Sequence, residues 1–116
     1  MHELALTEGI LEIVRAEAEK NGFSRVLEIT LKVGEYSGVI PECLLEFFPI
    51  ASKGTKAEGA VLNIQPVPAS FRCLACHYTG PIPTRTACCP DCGSTAIRMV
   101  AGREFYVENQ IGRAHV

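Results

Sequence analysis

Cys73-Leu74-Ala75-Cys76 and Cys89-Pro90-Asp91-Cys92 are two CxxC pairs with twelve residues between them. They constrain the chain more than any other feature. The segment from Pro68 to Gly102 holds five of the six cysteines and four of the seven prolines, but few large apolar residues. Such a segment cannot build a core of its own size, so a covalent or metallic link must hold it. Two residues between thiolates make a tight turn that sets both sulfurs on one side of a tetrahedron. A second turn completes it, and Zn(II) accepts four sulfurs at about 2.3 Å. Gly93 after the second pair suits the turn around the metal. Four thiolates leave no open position, so the site is expected to be structural. Zinc binding of roughly 10–16 kcal/mol would let the segment fold. The competing readings are two unligated pairs or two redox-active dithiols. Cys88 offers a second register, Cys88-x3-Cys92, although Cys89 repeats the first pair's geometry. His77 follows Cys76 and is a ligand in principle, but four thiolates already fill the site. Cys43 lies far away and reads as a small half-buried hydrophobe.

A length of 116 residues fits about one domain with one modest core. Hydrophobic residues make up 47% and charged residues 21%, which argues against disorder. The net charge of −2 supplies no field to draw the whole chain onto nucleic acid or an anionic membrane. The richest apolar stretch, Cys43 to Ala51, contains Glu46 and Pro49 and falls far short of the ~20 residues a span needs. The start, Met1-His2-Glu3, lacks the basic run of a signal peptide. The expected location is cytoplasmic, where cysteines serve metals more often than disulfides.

Leu4 to Lys20 reads as an amphipathic helix. Leu4, Leu11, Val14 and Ala18 form one stripe, with Ile10 beside it, and Asn21-Gly22 supplies the stop. Leu27, Ile29, Leu31 and Val33 then alternate with Glu28, Thr30 and Lys32, the pattern of a half-buried strand. Pro41 suits the first turn of a second helix, with Leu44, Leu45, Phe47 and Phe48 as its apolar face. Pro49 should kink or shorten that helix. Val61 to Val67 reads as a second strand, and Glu104 to Val107 as a returning one.

The amino terminus offers a second donor set. With Met1 retained, its amine, the deprotonated His2 amide nitrogen and the His2 imidazole can chelate one ion. A donor from Glu3 would close a square plane. That geometry suits Ni(II) or Cu(II), not Zn(II). On residues alone, a solvated helix start is the competing reading.

Met1-His2-Glu3, the Val33-Gly34-Glu35 turn, the Glu58-Gly59-Ala60 loop and the paired CxxC motifs occur in this order. In this combination the chain resembles the HypA/HybF family of hydrogenase-maturation nickel metallochaperones, over residues 1 to about 109. The resemblance implies an α+β fold: a small sheet of about three strands with two helices, plus an inserted zinc-ribbon-like lobe. It implies a nickel-binding domain over 1–67 and 103–110 and a zinc-binding domain over 68–102. His2 becomes the essential nickel ligand, with the Met1 amine and Glu3 beside it. Cys73, Cys76, Cys89 and Cys92 become the ligands of a structural Zn(II), and Ni(II) is a transient cargo. The implied partners are a HypB-type GTPase and the [NiFe]-hydrogenase large subunit, with urease accessory proteins in some organisms. Pro49 and Cys88 match no family function. Residues 111–116, Ile-Gly-Arg-Ala-His-Val, are what a common sequencing adapter encodes in one frame. They are expected to be a non-native tail that cuts the last strand short and disqualifies His115 as a ligand.

The rival reading is a zinc-ribbon adaptor for nucleic acid or protein. Between Val67 and Arg103, the arginines Arg72, Arg85, Arg98 and Arg103 face Asp91 alone, a balance of +3. Only Phe71 and Tyr78 supply aromatic surface there, thin for a strand-stacking platform. No nucleophile–base pair, phosphate loop or open metal site is legible, so an enzyme is not expected. Nor is a nucleic-acid or membrane partner. The expected state is a monomer or weak homodimer.

Overall fold

The computed structural model describes residues 3–83 and 85–114. Its elements are α1 (Glu3–Lys20), β1 (Phe23–Gly34), α2 (Pro41–Ala51), β2 (Val61–Val67), β3 (Ser70–Cys73), β4 (Thr79–Gly80), β5 (Ile97–Ala101) and β6 (Phe105–Ala114). They make two three-stranded sheets, ordered β2-β1-β6 and β4-β3-β5. The fold is α+β, with Cys73, Cys76, Cys89 and Cys92 gathered in a compact metal-binding lobe. The molecule measures 59 × 25 × 17 Å, and its radius of gyration is 18.1 Å. A compact chain of this length would have about 13 Å. The excess reflects the cysteine-bearing sheet, which extends from the main one.

In the main sheet β1 is central, parallel to β2 and antiparallel to β6. The parallel pair requires a crossover, and α2 provides it. Ile29, Leu31 and Val33 of β1 meet Ile10, Val14 and Ala18 of α1 and Leu44 and Phe48 of α2 in one core.

Several sequence expectations are corrected here. The buried line of α1 is Thr7, Ile10, Val14 and Ala18, while Leu4 is 41% exposed. The Thr7 hydroxyl donates to the Glu3 carbonyl at 2.6 Å, so a polar residue satisfies itself locally and enters the core. In β1 the alternation breaks at Leu27. Val26 pairs with Gly112 and Glu28 with Ile111, leaving Leu27 as the extra residue of a bulge. Val26 therefore enters the core and Leu27 turns out. In α2 only Leu44 and Phe48 are fully buried; Leu45 is exposed. The helix runs on through Pro49 and closes where the Ser52 N–H donates to the Phe48 carbonyl at 2.9 Å. Pro49 leaves the Leu45 carbonyl without its helical N–H donor, and the helix ends two residues further on at Ala51.

The returning strand is longer than its alternation suggested. Residues 111–114, expected to belong to a non-native tail that cuts the last strand short, continue β6 along β1 to Ala114. Backbone pairing makes few demands on residue type. The one site with a demand is Gly112, whose missing side chain leaves room for the Phe23 ring.

The two sheets join at Val33-Gly34-Glu35. The Gly34 N–H donates to the Glu104 carbonyl and the Tyr36 N–H to the Gly102 carbonyl, both at 2.6 Å. The Glu35 N–H donates to the Val67 carbonyl, and its carboxylate accepts from the Ala69 N–H at 2.8 Å. Both connecting segments thus cross the same turn. A side chain at Gly34 would collide with the Gly102 carbonyl group. Tyr36 also meets Phe71 edge-to-face, with ring centres 6.5 Å apart.

Candidate metal centre

The sulfurs of Cys73, Cys76, Cys89 and Cys92 all lie within 4.8 Å of one another. Cys73 Sγ is 3.6 Å from Cys92 Sγ, and Cys76 Sγ is 3.5 Å from Cys89 Sγ. A tetrahedron with metal–sulfur bonds of 2.3 Å has edges of about 3.8 Å. The four sulfurs are thus grouped as a tetrahedral thiolate site requires, with two of its edges already close to that length. Among the described residues this is the one cluster of its kind.

The two pairs are built alike. Ala75 N–H points at Cys73 Sγ and Asp91 N–H at Cys89 Sγ, each at 3.4 Å. The His77 N–H donates to the Cys73 carbonyl and the Gly93 N–H to the Cys89 carbonyl. Cys73 and Cys89 in turn donate their N–H groups to Tyr78 and Ser94 at 2.8 Å. Both turns close on a left-handed residue, His77 at φ 70° and Gly93 at φ 77°. Glycine fills that conformation without strain, and histidine does not. The first cysteine of each pair is buried and the second faces solvent.

Backbone N–H donors from Cys76 and Ala75 stabilise the Cys73 thiolate and bring its pKa down to about 7. At Cys76 the Tyr78 backbone contact lowers the pKa, but the Cys89 thiol, burial and the other thiols prevail and push it up to about 12. Four thiols in mutual contact cannot all ionise beside one another without a cation. A divalent metal removes that conflict.

Cys89 sits in the cluster. Cys88 lies outside it and is half-buried. Cys43 is on α2, where burial first, then Glu3, Glu46 and Glu42, raises its thiol pKa. Met1, His2 and His115 lie outside the described residues. Glu3 opens α1. Its carboxylate accepts from the Ile40 N–H at 3.4 Å and its carbonyl from Thr7. Ile40 is the N-cap of α2 and provides no side-chain cap of its own. Glu3 thus ties the starts of the two helices together, a role that sequence reasoning missed. The poor capping residue at 40 was the only signal for it.

A family model described as "Hydrogenase/urease nickel incorporation, metallochaperone, hypA" matches residues 1–111. The chain belongs to this family. Its relatives include a "Hydrogenase maturation factor HypA" from Geobacter sulfurreducens, 40% identical over 108 residues, with 93% of this chain and 96% of the relative covered. Another, of the same description, from Dehalococcoides mccartyi strain CBDB1, is 39% identical over 109 residues, covering 94% of this chain and 92% of the relative. The fold matches the solution structure of the Ni metallochaperone HypA from Helicobacter pylori with a TM-score of 0.72. That match spans 99% of this chain and 100% of the other, at 19% identity. Family membership makes this chain a nickel metallochaperone of hydrogenase maturation, working with that machinery and not as a catalyst. No helix among the described residues is long and apolar enough to cross a membrane.

Proposed function

We propose that the chain carries Ni(II) on the Met1 amine, the His2 amide nitrogen and imidazole, and a donor from Glu3. Cys73, Cys76, Cys89 and Cys92 hold a structural Zn(II). The observation that carries this reading is the match to the nickel metallochaperone family across residues 1–111, a span that includes Met1-His2-Glu3. The four-thiolate cluster supports the division of labour. Its donors are all used in closing a tetrahedron, and soft thiolates in that geometry suit zinc. The harder nitrogen and oxygen donors at the start suit square-planar nickel.

The carrier must hold its ion tightly enough to exclude free metal and weakly enough to release it. A site on the first residues meets both needs, since few donors come from the rigid core. Recruiting the Glu3 carboxylate would exchange the long Ile40 N–H contact for the cation. Ligation needs a neutral amine and imidazole, so protons compete and nickel affinity falls in acid. Raw affinity favours Cu(II), so selection rests on availability and docking. The recipients in this reading are a HypB-type GTPase and the [NiFe]-hydrogenase large subunit, in the cytoplasm, with urease accessory proteins as further clients. Residues 1–67 and 103–110 form the nickel-carrying unit, and residues 68–102 the zinc-bearing one.

The test is calorimetric titration of Ni(II) into untagged, zinc-loaded protein beside His2→Ala. Stoichiometric binding that vanishes in the variant, with zinc retained, is the expected result. Binding unaffected by the substitution would move the site elsewhere, and no binding by either protein would overturn the reading.

A further inference from the structure

Outside the metal centre, the small sheet carries an arrangement that neither the fold nor zinc binding requires. Arg72 of β3 and Arg98 of β5 are direct cross-strand partners. Both side chains are exposed, and neither has an ion-pair partner among the described residues. Like charges directly opposite on a sheet are destabilising. Strand alternation puts Arg72 on the face away from Cys73, so these arginines do not flank the sulfurs from the metal's side.

Around them lies a groove of about 440 Å³, lined by Arg72, Leu74, His77, Arg98, Met99 and Val100. Leu74 is 59% exposed and Val100 50% exposed. Antiparallel pairing places Leu74 beyond one end of the arginine pair and Val100 beyond the other. Leu74 follows Arg72 by two residues in the turn after β3. Val100 follows Arg98 by two residues at the shift in register between β3 and β5, where β5 keeps its alternation of exposed and half-buried positions. The surface therefore reads apolar, doubly cationic, apolar. His77 completes one wall from the left-handed position that glycine occupies in the second turn.

We propose that this groove docks an extended, acidic segment of a partner protein, in which a carboxylate-bearing residue is flanked at two-residue spacing by apolar ones. An extended chain repeats its side chains every two residues, about 6.6–6.8 Å, the sequence step that separates Arg72 from Leu74 and Arg98 from Val100. Paired guanidinium groups grip a carboxylate with fixed geometry, and Leu74 and Val100 cover the flanking side chains. Charge complementarity supports an acidic occupant, because Asp91 is the sole acidic residue between Val67 and Arg103. The surface is independent of the amino-terminal nickel site, so either can fail without the other.

The probe is a short fluorescein-labelled peptide with the core Leu-Ser-Asp-Ser-Leu, beside the same peptide with Asn for Asp. Binding is followed by anisotropy and by amide shifts in zinc-loaded protein. The expected result is shifts centred on Leu74, His77, Met99 and Val100, with the Asn peptide about tenfold weaker. The Arg72→Ala/Arg98→Ala variant should lose about tenfold in affinity while keeping its zinc. If that variant loses zinc, Arg72→Lys/Arg98→Lys and the wild-type shift map decide instead. The lysine pair should retain attraction but lose the bidentate grip. Equal binding of the two peptides, or shifts elsewhere, would overturn the proposal. So would tighter binding of oligothymidylate at the same residues, or self-association of the protein through this face.

Discussion

Replacing Gly34 with alanine probes the junction between the two sheets. The added carbon would collide with the Gly102 carbonyl group and stand 2.7 Å from the Glu104 nitrogen. All of these are backbone atoms, so no side chain can swing aside. Overpacking of this kind costs about 1–3 kcal/mol. Separating the strands also weakens the Gly34–Glu104 and Tyr36–Gly102 hydrogen bonds, each worth about 0.5–1.5 kcal/mol. The combined loss is about 2–6 kcal/mol, a large part of a small domain's stability. The assay is urea unfolding of zinc-loaded protein followed by far-ultraviolet circular dichroism. Both helices pack on the main sheet, so the helical signal reports that unit. At a slope of about 2 kcal/mol per molar, the midpoint should fall by about 1–3 M. Gly9→Ala is the control: it lies within α1 with nothing within 4 Å of the added carbon. It should gain about 0.5–1 kcal/mol from helix propensity. A Gly34→Ala midpoint equal to or above the wild-type value would refute the reasoning.

Cys89→Ser should abolish stoichiometric zinc binding while Cys88→Ser retains it, as measured by chromophoric chelator release; the reverse would assign the other register. Leu44→Ala, at a fully buried position, should cost about 2–5 kcal/mol, whereas Leu45→Ala, on the exposed side of the same helix, should stay within about 0.5 kcal/mol in the same urea assay. Zinc affinity should climb by at least about tenfold per pH unit from pH 6 to 8, because each thiol must shed its proton to bind. Cys73, whose pKa is lowered to about 7, is stabilised as the thiolate above that value and protonates as pH falls through it. A flat competition curve would contradict thiolate ligation. A tag fused ahead of Met1 should weaken nickel binding sharply by removing the free amine, and unchanged affinity in calorimetry would eliminate the amine as a donor.

Most of the secondary structure was legible because its signals are local. The two helices, β1 and β2 follow from apolar periods of 3.6 and 2 and from Pro41 and Gly22 at their ends. The cysteine cluster was legible for the same reason, since each CxxC turn is complete within a few residues. What misled was periodicity read without partners. Leu27 fits the alternation of its strand, but a bulge against β6 turns it to solvent and brings Val26 inward. Leu4 fits the apolar stripe of α1, yet Thr7 takes a core place by bonding to Glu3.

By itself the sequence determined the two helices, β1 and β2, the four thiolates and the donor-bearing start, because each depends on residues a few positions apart. Only the tertiary structure decided what distant residues do to each other. The paths of β2 into β3 and of β5 into β6 bring Val67, Ala69, Gly102 and Glu104 onto the turn at Gly34. The register of β3 with β5 sets Arg72 opposite Arg98, though twenty-five residues separate them. Chain folding closes those gaps through backbone hydrogen bonds, which carry little side-chain identity and so leave little trace in the sequence.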